Sequence, residues 1–185
     1  VGPVETVGAL SLRLGEGGAE AFLAACAHAP AALEALPSGI LPWLRRALDL
    51  PSGDIDEAIA EGVEDIDEDA VARLAGANRA WGTATGEKAA AAMERWLGSD
   101  RAGRVALLEA LMGTVFTAKG EPRKASKKLV DADPDYEDMA SEVGEACRYL
   151  LSLAARARHA DLLADGLSVG RDYARAYGQA KRAIG

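Results

Sequence analysis

The chain has 185 residues, of which 49% are hydrophobic and only 5% aromatic, and its formal net charge is −8. That length suffices for one sizeable domain or two small helical lobes, and the acidic balance argues against indiscriminate binding to polyanions. No apolar run approaches the roughly 18–20 residues that a membrane span needs, and no secretory signal is read at the start. Charge is uneven: residues 1–100 carry 17 acids and 7 bases, whereas residues 101–185 carry 12 acids and 14 bases. Asp49 to Asp69 holds ten acids and no base.

Alanine and leucine dominate and β-branched residues are few, which predicts an all-α chain, an irregular multi-helix bundle. Residues 1–18 are glycine-rich and weakly patterned, and read as a flexible leading arm. Short alanine-rich helices over Glu20–Ala29 and Ala31–Leu36 follow, separated by Pro30. The stretch "SGILPWLRRALDL" reads as a helix with Pro42 in its first turn, where a missing N–H is tolerated. Ser52 or Asp54 then offers an N-cap, with acids in the first turn set favourably against the helix dipole. In "DIDEDAVARLAGANRAW", Ile66, Ala70, Leu74 and Ala77 fall on one face. These pieces form an expected acidic lobe over residues 19–80.

A second lobe is expected over residues 81–185. Met93, Trp96 and Leu97 line one helix; after a turn at Gly98 and Ser99, Val105, Leu108, Leu111, Met112 and Val115 line the next. Two long helices close the chain. In the first, from Pro134, Met139, Val143, Ala146, Leu150, Leu153 and Ala157 recur at alternating four and three residues, a seam suited to a partner helix. The last runs from about Asp161 to Ala183, with Gly166, Gly170 and Gly178 as weak points. The tryptophans 43, 81 and 96 are expected to anchor packing.

Catalytic patterns are not found. Cys26 and Cys147 are isolated from each other and from His28 and His159, so they read as buried thiols of a reducing compartment, and neither a disulfide framework nor a metal site is expected. "GTATGEKA" fails as a phosphate loop, because Lys88 does not follow the second glycine and Ala89 replaces the magnesium-binding hydroxyl. The run Asp65, Asp67, Glu68 and Asp69 lacks the spacing of a calcium loop, and Glu142 with Glu145 lacks an accompanying histidine repeat.

One feature survives that filter. "TAKGEPRKASKK", residues 117–128, packs five bases into twelve residues: Lys119, Arg123, Lys124, Lys127 and Lys128. Glycine and proline hold its first half in a loop, and Lys124, Lys127 and Lys128 share one side if the second half is helical. Such groups suit phosphate oxygens, which position a protein on nucleic acid without reading sequence. A second basic line, Arg171, Arg175 and Arg182, lies on the last helix beside Tyr173 and Tyr177. The tyrosines read as half-buried packing residues with a wet hydroxyl, and base stacking is the other option.

"GTATGEKAAAAMERWL", "VFTAKGEPRKASKKL" and the closing "YGQAKRAIG" helix resemble the AddA family, helicase–nuclease subunits of bacterial double-strand-break repair related to UvrD-like helicases. The likeness covers residues 82–185 and is loose over 1–80. Arg123 and Lys124 match the family's "EPRK" pair, and Tyr177, Lys181 and Arg182 match its "YxxxKR" helix. Where the family has "VFLTAKGEPRK" and "LLTKAL", this chain has "VFTAKGEPRK" and "ASKKL", which shifts the turn and adds charge. The family's nucleotide-binding lysine, acid pair, arginine fingers and nuclease carboxylates have no counterpart here. The resemblance therefore implies the helical 1B subdomain, a non-catalytic insertion in the first motor domain, excised from a longer chain. It implies contact with duplex or single-stranded DNA near a fork through the five bases, with Arg171, Arg175, Tyr177, Lys181 and Arg182 as secondary contacts. It implies a cytoplasmic parent that uses ATP and Mg2+, with no cofactor in this piece. The implied partners are DNA, the rest of the helicase and a second subunit. The alternative is a helical module that docks a partner protein.

Overall fold

The computed structural model describes the backbone of residues 3–184, and the side chains of that span other than residues 3–7, 9–11, 13 and 16. Its described residues form helices and no strand, in the order α1 (Pro3–His28), α2 (Pro30–Glu34), α3 (Ile40–Ala47), α4 (Ile55–Glu64), α5 (Glu68–Trp81), α6 (Ala84–Leu97), α7 (Arg101–Ala106), α8 (Leu108–Val115), α9 (Lys127–Ala132) and α10 (Tyr136–Ile184). The leading arm expected over residues 1–18 is instead helical from Pro3, with Gly15 alone (φ 71°, ψ 163°) breaking the helical backbone. Pro30 occupies the first position of α2, where its missing N–H costs nothing.

The compact units are not the two expected lobes. One comprises Val1–Ser52 with Arg156–Gly185, and the other Gly53–Ala155. The acidic helices α4 and α5 do not belong with α1–α3, because their apolar faces (Ile55, Ile59, Val63, Leu74) are buried within the second unit. The two closing helices expected from the sequence are one, α10. Its junction, His159–Ala160–Asp161, holds neither glycine nor proline, and Ala160 is fully buried, so nothing there stops the helix.

Local chemistry explains the helix starts of the second unit. Asp54 accepts hydrogen bonds from the Asp56 and Glu57 amides and so caps α4. Asp67 does the same for α5 at Asp69 and Ala70. Thr83 caps α6 through the Gly86 amide, and Asp100 caps α7 through that of Gly103. The single helix expected after Gly98 is two, α7 and α8, broken at Leu107 (φ −98°, ψ 2°).

Trp96 forms the centre of that unit's core, fully buried with Leu74, Met93 and Leu111. The Arg104 guanidinium lies 4.7 Å from its ring centroid, pairs with Glu68, and donates to the Leu97 and Ser99 carbonyls. Helix α10 enters with the expected seam: Met139, Val143, Leu150 and Leu153 are buried, joined by Cys147, which the seam did not include. Burial pushes the Cys147 thiol up to about 12, which makes it unreactive. Two close approaches need glycine. A Cβ on Gly62 would come within 2.5 Å of Leu150 Cδ2, and one on Gly144 would overlap the buried Phe116 ring, with Cδ1 at 2.8 Å and Cζ at 2.9 Å.

In the first unit, Cys26, Leu33 and Ala174 form a small core with Phe22, Leu36 and Leu167 against it. Helix α3 buries Ile40 and Leu44, and Arg156 of α10 donates to the Leu48 carbonyl just past its end. Trp43, expected to anchor packing, is 39% exposed.

Ion pairs staple both units. Arg73 bonds Asp133 and Asp135, Arg79 bonds Glu94 and Glu87, and Arg175 bonds Glu34. Hydrogen bonds from these guanidinium groups, and from Arg104, hold the carboxyls of Asp133, Glu94, Glu34 and Glu68 below their usual range. A depressed carboxylate stabilises the fold fully above its unfolded value and loses that contribution as pH falls through the lower folded value. The thermal midpoint followed by circular dichroism is therefore expected to hold from about pH 7 down to about pH 5 and to fall on going to about pH 3. These pairs face solvent, so the shift is modest, and an unchanged midpoint at low pH would show that they contribute nothing.

Candidate functional site

The five-base segment is built on a hairpin rooted in the core of the second unit. Helix α8 ends at Val115, and Phe116 turns into extended backbone (φ −116°, ψ 154°) with its ring 1% exposed against α10. The Arg123 amide donates to the Val115 carbonyl at 2.8 Å, and the Thr117 amide donates to that of Glu121 at 2.8 Å. The Gly120 amide closes the tip onto Thr117 at 2.9 Å. Gly120 has φ 76°, a left-handed position that glycine takes without strain. Phe116 and Pro122 form an isolated antiparallel bridge. The glycine and proline thus do what their sequence positions predict.

Arg123 has a structural task as well. Its Nε donates to the carbonyls of Gly113 at 3.1 Å and Phe116 at 3.0 Å, satisfying groups that the end of α8 leaves free. Lys119 stands at the hairpin tip, and Lys127 and Lys128 open α9. Lys124 lies outside α9, so the shared helical side expected for Lys124, Lys127 and Lys128 does not form. The backbone between them is extended, because Ser126 (φ −75°, ψ 155°) precedes the first helical residue. All five bases are exposed. Lys127 and Lys128 also sit at the helix end where the dipole disfavours cations, a placement that folding does not require.

The cations divide by type. Among the described residues every ion pair is made by an arginine, and no lysine takes part in one. Lys119, Lys124, Lys127 and Lys128 are therefore uncompensated charges at the surface.

A cleft of about 440 Å3 opens beside the hairpin stem, lined by Arg123, Lys124, Lys88, Trp81, Asn78 and Tyr136 among others, with no carboxylate in its lining. Asn78, 3% exposed, donates to the Tyr136 hydroxyl at 3.0 Å and to the Leu74 carbonyl at 2.9 Å, which fixes the buried polar groups of the lining. Burial pushes the Tyr136 hydroxyl's pKa up, against a smaller lowering by Asn78, so it stays a neutral phenol. Lys88 reaches this cleft because Gly82, in the left-handed conformation, ends α5 and Thr83 starts α6 at once. The sequence flagged Lys88 only as part of a failed phosphate loop. Nothing in the sequence tied it to the basic segment about thirty residues later.

The secondary basic line, in the first unit, is partly committed. Arg171 donates to the Leu36 and Pro37 carbonyls at 3.3 Å, and Arg175 forms a two-pronged pair with Glu34 at 2.5 and 2.9 Å. Both side chains thus carry intramolecular bonds, which the sequence reading did not foresee. Tyr177 stacks on Tyr173 with centroids 6.3 Å apart, and the two residues are 46% and 40% exposed, in keeping with the half-buried expectation. Lys181 and Arg182 remain exposed and line a second cleft of about 430 Å3 with His28, Glu34, Arg175 and Tyr177.

No family model, curated protein or solved structure matches this chain. What the site can do therefore rests on its own chemistry. Among the described residues no group of three or more histidine, cysteine, aspartate or glutamate side chains is placed to hold a metal ion, and no helix is long and apolar enough to cross a membrane. Glu145 pairs with Arg148, and His28 and His159 are exposed.

Proposed function

We propose that this chain is a non-catalytic helical module that holds a DNA backbone along the basic edge formed by Lys119, Arg123, Lys124, Lys127 and Lys128. In this reading it is the 1B-type insertion of an AddA-like helicase–nuclease, whose motor uses ATP and Mg2+ elsewhere in the longer protein. The observation that carries it is the uncompensated charge. In a chain of net charge −8, four exposed lysines within ten residues have no acidic partner, while arginines make the ion pairs. Free amines on the hairpin, the segment after it and the start of α9 can pair with phosphate oxygens.

Alanine at Lys119, Lys124, Lys127 and Lys128 tests this without removing the Arg123 bonds that hold the hairpin. Affinity for a labelled forked DNA is expected to fall by about the same factor for unrelated base sequences. The slope of log affinity against log salt is expected to flatten by about one unit per lysine that contacts a phosphate. Unchanged affinity and slope would remove the DNA role of this edge. The exposed Tyr173–Tyr177 stack supports the second reading, a surface that docks a partner subunit. That reading gains if the alanine variant binds DNA normally while serine at both tyrosines releases such a subunit.

A further inference from the structure

The cleft beside the hairpin stem has a composition that phosphate contact along an open edge does not call for. Three cations from two parts of the chain converge on it: Lys88 from α6, and Arg123 and Lys124 from the segment between the hairpin and α9. Like charges gathered in one concave space repel, and no carboxylate of the lining offsets them. Of the acids nearest in sequence, Glu87 and Glu94, on the α6 side, are engaged on Arg79, and Glu121, two residues before Arg123, is not among the lining residues. A bound anion relieves that repulsion.

An aromatic plane shares the cleft. Trp81, the last residue of α5, lines it and is half-buried. Its position is fixed by the close α5–α6 pairing: a Cβ on Gly86 would come within 3.2 Å of Trp81 Cε3 and would overlap the Asn78 carbonyl oxygen. One edge of the indole thus lies close against Gly86. Thr85 and Thr114 add hydroxyls to the lining. A volume of about 440 Å3 falls in the range of small-ligand sites. Cations beside a fixed indole suit a ligand that carries a phosphate and a planar ring on one short scaffold.

We propose that this cleft takes one nucleotide of a single-stranded nucleic acid, with Lys88, Arg123 and Lys124 on its phosphate and the base against Trp81. This rests on the reading of the basic edge as a DNA interface, and it adds that the edge ends in a pocket selecting an unpaired strand. A base inside a duplex is stacked between its neighbours and has no face to offer Trp81.

The test compares a labelled oligodeoxythymidylate with a labelled duplex of equal length, using the full chain, Lys88→Glu, Trp81→Leu, and the joint alanine variant of Lys119, Lys127 and Lys128. Lys88 is exposed in the early part of α6, where glutamate suits the helix dipole, so that reversal leaves folding intact. Lys88→Glu and Trp81→Leu are each expected to weaken oligodeoxythymidylate binding by about tenfold and duplex binding by less than about twofold. Wild-type affinity for the oligonucleotide in Lys88→Glu, whose fold is checked by circular dichroism, overturns the pocket. If the joint alanine variant meanwhile loses both ligands, the DNA reading stands without it. Failure of the unaltered chain to bind either ligand overturns both.

Discussion

Trp96→Ala is expected to cost about 3–5 kcal/mol, the range for removing a fully buried tryptophan, measured as the shift in a denaturant midpoint at unchanged slope. Trp96 has no exposed surface and is the largest fully buried side chain of the core. Its removal also strips the partner from the Arg104 guanidinium 4.7 Å above it, which joins Glu68 at the start of α5 to the carbonyls that end α6. Small domains are stable by only about 5–15 kcal/mol, so the variant is expected to be largely unfolded well below the wild-type midpoint. A loss under about 1 kcal/mol would mean that the site is loosely packed and relaxes around the missing ring.

Gly144→Ala is the second large effect, and it reaches the basic edge without altering a single charge. The added methyl would overlap a Phe116 ring that is itself 1% exposed, so the aromatic cannot swing into solvent. Phe116 is the residue at which α8 becomes the hairpin, and Arg123 Nε bonds its carbonyl. A cost of about 1–3 kcal/mol is expected from overpacking, together with weaker binding to forked DNA at unchanged net charge. Stability lost with DNA affinity retained would show that the lysines act as diffuse charge, independent of where the hairpin holds them.

Much of the fold was legible because periodicity and capping are local. Asp54, one of the two caps offered for α4, announced its helix through the acids that follow it, and the seam from Met139 to Leu153 named the buried face of α10. The division into units was not legible. It depends on which apolar face meets which, and Ile59 or Val63 carries no mark of its partner. The sequence placed a break between Ala157 and Asp161, where no helix-stopping residue stands, and read glycines 166, 170 and 178 as weak points of the last helix. Gly170 is instead a contact, since a Cβ there would meet Cys26 Sγ at 2.5 Å. Within the site, the five bases stood out by density alone. Lys88 and Trp81 did not, since they come together with Arg123 only when α5, α6 and the hairpin are folded. Arg171 and Arg175 looked equivalent to the free cations because sequence does not show a carbonyl or carboxylate waiting more than 130 residues away.

The split between guanidinium and amine has a consequence for how the molecule can be tuned. Arginine is delocalised, planar and always protonated, and here it is built into the scaffold; lysine is the residue that acylation neutralises. A lysine-directed modification, applied or natural, would therefore act as a dial on the electropositive face and leave the staples of the scaffold untouched. The charge of the four lysines and the arginine ion pairs of the scaffold are thus separately adjustable, and Arg123 alone of the five bases of the edge also holds the hairpin.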